Sequence, residues 1–155
     1  MLTLLATLIV VYVVLVALLL LFERHMVFLP HIGRHSGDWN PPGLPVENVA
    51  LTTSDGVTLH AWWIPAPQAE FTFVMFHGNA ANLPTRADIY RFFHALPVNI
   101  LAVDYRGYGR SEGSPSEAGV YLDARAAYDH LITQRKIPPQ RIIAFGASLG
   151  SAVAA

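Results

Sequence analysis

Arg141-Ile142-Ile143-Ala144-Phe145-Gly146-Ala147-Ser148-Leu149-Gly150 decides how the rest of the chain is read. An apolar run reaches Phe145 and gives way at once to a G-x-S-x-G pattern, followed by small residues through Ala155. This is the signature of a strand that turns sharply into a helix at its serine. Gly146 and Gly150 leave room that side chains would fill, and small Ala147 and Ala152 help. The serine hydroxyl then projects above the positive end of the following helix. Ser148 is therefore the candidate nucleophile.

Working outward, two more apolar runs end in polar or glycine-rich loops. Phe71 to Phe76 runs into His77-Gly78-Asn79-Ala80-Ala81-Asn82, and Asn99 to Val103 runs into Asp104-Tyr105-Arg106-Gly107-Tyr108-Gly109. Leu83 to Leu96 reads as a helix between them. Ser114-Pro115-Ser116-Glu117 reads as a helix start, with Ser114 as cap, Pro115 first in the helix and Glu117 three after the cap. The helix it opens places Val120, Ala124, Ala127, Tyr128 and Leu131 on one face. Earlier, Val49 to Thr53 and Val57 to Ile64 flank Ser54-Asp55-Gly56 as a hairpin. Trp62 and Trp63 in its second arm read as packing residues. Strands apolar on both faces, alternating with helices, predict an α/β fold with a mostly parallel sheet covered on two sides. Sites in such sheets lie beyond the carboxyl ends of the strands. All three loops fall there.

Acyl transfer to a serine builds negative charge on the substrate oxygen. A fixed backbone N–H that receives it is worth about 2.7–4 kcal/mol. The expected donors are the amides of Leu149, next after the nucleophile, and Asn79. Other chemistries find little support. Gly107, Gly109 and Gly113 run G-x-G-x-x-x-G, one residue too long for a dinucleotide loop. A formal net charge of −1 gives no nucleic-acid footprint. Without cysteine there is no disulfide or thiolate-metal site. His31 and His35 sit four apart, but Gly33 and Pro30 argue against the helix that would pair them on a metal. No metal or other cofactor is expected.

The 155 residues are 53% hydrophobic, and residues 2–22 take a large share. From Leu2 to Phe22 there is no charge, Pro or Gly. A helix of that length spans roughly 30 Å, the thickness of a hydrocarbon core. The run is longer than a signal-peptide core, no Lys or Arg precedes it, and no Ala-x-Ala follows it. An uncleaved single-pass membrane anchor is expected over residues 1–22. Arg24 and Arg34 lean toward a cytoplasmic domain by the positive-inside rule, with two arginines as the whole basis. Residues 23–45, broken by Pro and Gly, read as a juxtamembrane linker. Residues 46–155 read as the N-terminal part of a catalytic domain.

The runs HGNAAN (77–82), DYRGYGRSEGSPSE (104–117) and GASLGSAVA (146–154) occur in this order. Together they resemble the bud-emergence-type, serine aminopeptidase-like and often membrane-anchored branch of the α/β-hydrolases. The resemblance implies a hydrolase of ester, thioester or amide bonds working through an acyl-enzyme. Ser148 would be the nucleophile, and Asn79 and Leu149 the oxyanion positions. His77, Gly78, Asp104, Gly146 and Gly150 would hold the loops. In this family the base follows the nucleophile in the order Ser, Asp/Glu, His, so His77 and Asp104, which precede Ser148, read as positioning residues. His60, His94 and His130 lie on strand or helix bodies. The expectation is a fragment whose acid and histidine come later, inactive alone because an unassisted serine is a poor nucleophile. Its substrate would be a small-molecule or lipid-like acyl compound. The competing expectation is a non-catalytic, membrane-anchored binding or scaffold module, with the edge of the Arg141 strand hidden in a partner.

Overall fold

The computed structural model describes residues 2–155. Helix α1, Leu2–Val27, is apolar and exposed along its length, and is long enough to cross a membrane. At 1.5 Å per residue it is about 39 Å long, and it runs five residues past the expected anchor end. Arg24 and His25 occupy its last turn, where cations suit the helix dipole. The Thr7 hydroxyl donates to the Thr3 carbonyl, 2.9 Å, so that polar atom is satisfied within the helix itself.

Among the described residues, five strands form one sheet: β1 (Glu47–Thr52), β2 (Thr58–Ile64), β3 (Phe71–Phe76), β4 (Val98–Val103) and β5 (Ile142–Gly146). Their order is β1-β2-β4-β3-β5. The β4-β3-β5 core is parallel, as the apolar runs predict, while β1 and β2 form an antiparallel arm joined to β4. The arm is antiparallel because a five-residue turn joins β1 to β2, too short for the crossover that parallel neighbours need.

Side chains alternate between the two faces. Leu101, Val103, Val74 and Phe76 point to a core shared with Val120, Ala127 and Leu131 of α3 (Glu117–Thr133) and Val153 of α4 (Leu149–Ala154). Ile100, Ala102 and Met75 point the other way, toward Tyr90 of α2 (Ala87–His94). Trp62 and Trp63 divide between these two cores, as packing residues should.

Two helix starts differ from expectation. Residues Pro84–Arg86 form a 3₁₀ turn before α2, because Asn82 ties its side chain to Thr85 and tightens the entry. The cap of α3 is Ser116, not Ser114: its hydroxyl accepts from the Gly119 amide at 3.2 Å. The Arg106 side chain lies against Gly119, where a Cβ would stand 2.6 Å from Arg106 Cδ. Tertiary packing on Arg106 thus sets the first turn two residues later than the local signal.

Candidate active site

Strands β3, β4 and β5 deliver their loops to one edge, and Ser148 stands at the turn from β5 into α4. Its backbone adopts φ +54° and ψ −118°, a conformation that non-glycine residues rarely hold. A Cβ on Gly146 would overlap the Gly150 carbonyl oxygen, and one on Gly150 would overlap the Phe76 carbonyl oxygen. The two glycines are therefore required by backbone-to-backbone packing. The Ala147 amide donates to the Phe76 carbonyl at 3.1 Å and locks the turn onto β3. Ser148 itself is exposed.

The His77–Gly78 loop lies against this turn. A Cβ built on Gly78 would sit 3.7 Å from Ser148 Cβ and 3.6 Å from the Ala147 carbonyl oxygen. The amides of Asn79 and Leu149 donate to no acceptor among the described residues. For Leu149 the reason is general: the first amides of a helix have no intrahelical partner. A cavity of about 210 Å³ opens alongside, lined by Phe76, His77, Arg86, Ile89, Phe145 and Ala147.

His77 is buried, with Nδ1 hydrogen-bonded and Nε2 close to a carboxylate but without a hydrogen-bond partner. Nδ1 donates to the Gly78 carbonyl at 2.7 Å, and Nε2 faces Asp104 Oδ1 at 3.3 Å. Asp104 is fully buried and accepts from the Leu83 amide at 3.0 Å. His60 Nδ1 stands 4.0 Å from its other oxygen, too far for a hydrogen bond but close enough to stabilise charge. Burial raises this carboxyl, yet the two imidazoles outweigh burial and hold it below the ordinary value. The Asp104 side chain thus lies against the His77 loop and the Leu83 amide that follows it. A Cβ on Gly109 would overlap the Asp104 carboxylate, so the close approach of the loop to that side chain requires glycine there.

Arg106 is held elsewhere, by two acids that sequence reasoning missed. Its Nε meets Asp123 Oδ1 at 2.8 Å, and its terminal nitrogens take Asp55 at 2.7 and 3.0 Å. Asp123 carries a readable signal, because it is an acid on the otherwise apolar stripe of α3. Asp55 carries none beyond its place in a turn. The Arg106 hydrogen bonds, with a smaller share from Thr53, hold the Asp55 carboxyl well below the usual carboxylate range. A depressed folded-state pKa contributes stability above the unfolded value, about 4, that is lost as pH falls further toward the folded value. Asp55→Asn should therefore flatten the acid limb of a stability-against-pH curve below about pH 4. An unchanged limb in denaturation at stepped pH would remove the pair from the stability argument.

The elbow geometry yields a second expectation. Gly150→Ala drives a methyl into the Phe76 and His77 carbonyls, which belong to backbone and yield little. Overpacking of this kind costs about 1–3 kcal/mol. A lowered unfolding midpoint is the expected result; a wild-type midpoint would refute the packing account.

The sheet and its connections have known relatives. The family model for the alpha/beta hydrolase family matches residues 73–155, and the chain belongs to that family. It is 41% identical over 147 residues to the alpha/beta hydrolase domain-containing protein WAV2 of Arabidopsis thaliana, covering 90% of this chain and 48% of that protein. It is 39% identical over 112 residues to protein bem46 of Schizosaccharomyces pombe, covering 70% and 38%. That match bears out the bud-emergence resemblance. The esterase Pf2001 of Pyrococcus furiosus superposes with a TM-score of 0.67 at 28% identity, covering 79% of this chain and 50% of the esterase. The chain thus spans about half the length of the curated relatives it matches, or less.

Proposed function

We propose that Ser148 is the nucleophile of a membrane-anchored serine hydrolase that cleaves ester, thioester or amide bonds through an acyl-enzyme. The observation that carries the reading is the forced conformation of Ser148 beside Gly78. A serine held at φ +54° by two indispensable glycines is strain retained where function uses it. The amides of Asn79 and Leu149 receive the oxyanion. His77, buried with Nδ1 tied to the Gly78 carbonyl and Nε2 turned toward Asp104, sets the loop rather than taking the proton from Ser148. The acid and histidine of the triad belong, in this reading, to the part of the relatives' length that this chain does not match.

A lipid-like acyl substrate fits a second feature. A groove of about 500 Å³ joins the end of the membrane helix, at Val27 and Phe28, to Tyr121 and to Leu149 and Val153 of the nucleophile helix. An acyl chain leaving the bilayer meets apolar surface along that line. The test is a fluorophosphonate probe applied to the full-length protein in membranes, with the labelled peptide mapped by mass spectrometry. Label on Ser148 is the expected outcome. A folded protein that takes no label would favour the non-catalytic module.

A further inference from the structure

The residues that follow the membrane helix are fastened to the candidate oxyanion loop. Helix α1 ends at Val27, and Phe28 is already buried in the core. Leu29 pairs with Ala80 as a one-residue parallel bridge, and its amide donates to the Asn79 carbonyl at 3.0 Å. The Asn79 side-chain amide donates to the Val27 carbonyl at 3.1 Å. Farther along, the Ala81 amide donates to the Ile32 carbonyl at 2.9 Å. Asn82 Nδ2 donates to the carbonyls of Arg34 and Ser36, both at 2.9 Å. Gly33, at φ +64°, lets this segment lie flat, because a Cβ there would press within 3.4 Å of Ala81.

Tyr108 closes the arrangement. Its hydroxyl donates to the Asn79 carbonyl at 2.9 Å and accepts from the Leu29 amide at 3.1 Å. The ring stands edge-on to His77, centroids 5.3 Å apart. Burial pushes the phenol up to about 12, so the hydroxyl keeps its proton at any physiological pH. The carbonyl and the side-chain nitrogen of Asn79 are therefore both held, while its backbone N–H donates to no acceptor among the described residues. These contacts fix where the Asn79 nitrogen sits, and the direction of its N–H is set by the Gly78–Asn79 peptide plane, whose carbonyl is held by His77 Nδ1 at 2.7 Å.

We infer that the exit segment of the membrane helix, Val27 to Ser36, is a working part of the oxyanion site, with Tyr108 and Leu29 as the residues that position the Asn79 amide. The inference rests on the hydrolase reading. It adds that the anchor's exit aligns the catalytic loop as well as tethering the domain. A misplacement of about 1 Å can cost around a hundredfold in rate, so the loss of one constraint should show in turnover more than in binding.

The experiment uses the full-length anchored protein in detergent micelles, a short-chain p-nitrophenyl ester and three variants. Tyr108→Phe removes the hydroxyl and keeps the ring. The expected result is a fall in kcat of about tenfold or more, with KM within about twofold of wild type and the unfolding midpoint little changed. Asn79→Ala, which cuts the link to Val27 and keeps the backbone amide, should show the same split and serves if Tyr108→Phe does not fold. Unchanged kcat in whichever variant folds overturns the inference, as does a KM rise that accounts for the whole loss. Ser148→Ala separates the two readings: if it keeps wild-type turnover, the nucleophile assignment fails. If it loses turnover while Tyr108→Phe keeps it, only the positioning role fails.

Discussion

Ser148→Ala is expected to lower kcat/KM of the full-length enzyme toward acyl esters by on the order of 10⁴-fold or more while leaving the fold intact. Removing a nucleophile that acts as one unit with its base removes the covalent route entirely. What survives comes from binding and the oxyanion donors. The side chain is exposed and makes no hydrogen bond within the described residues, so its loss opens no cavity and strands no partner. Alanine also relieves none of the backbone strain, which belongs to the turn, so the unfolding midpoint should stay near wild type. Parallel measurement of ester turnover and thermal unfolding checks both halves. A drop in midpoint matching the drop in rate would make Ser148 a structural residue instead.

Arg106→Ala should be the most damaging change to stability. Asp123 is wholly buried, and its side chain takes both the Arg106 backbone amide and the guanidinium at 2.8 Å. Deleting one partner of a buried pair leaves an uncompensated charge, which costs about 3–5 kcal/mol. The arginine stem also packs on Gly119 and sets the first turn of α3. Its loss cuts the tie between the Asp104–Gly113 loop and Asp55 in the β1–β2 turn. Chemical denaturation of the solubilised protein measures the cost. Adding Asp123→Leu should recover much of it, because the stranded charge is then gone. If the double variant is no better than Arg106→Ala, the penalty comes from lost packing of the stem.

The sheet and the elbow are legible in the amino-acid sequence. Phe71–Phe76 and Val98–Val103 are mostly apolar on both faces and lie inside the sheet, whereas the equally apolar Ile142–Gly146 forms its edge, with Ile143 and Ala144 exposed. The glycines around Ser148 announce a tight turn by composition alone. The Ser116 cap is less legible, because Ser114 and Ser116 offer the same local chemistry and only the distant Arg106 chooses between them. The role of residues 28–36 is hidden for a similar reason. Proline and glycine there break helical and strand period, which reads as a loose connection. In the folded chain Gly33 is present because the segment lies against Ala81. Tyr108 carries no sequence signal at all: a tyrosine in a glycine-rich loop becomes a bridge only when Leu29 is brought to it.

The docking of Phe28 and Leu29 directly after α1 has a consequence for motion. A domain on a slack tether tumbles and shows each of its faces to the lipid in turn. Here the second residue past the helix is already hydrogen-bonded to a loop at the sheet edge, and little free chain remains to act as a swivel. With α1 in a bilayer, the tilt of that one helix becomes the tilt of the whole sheet. The elbow then keeps one orientation relative to the helix axis, and any change in the tilt of that helix is passed to it directly.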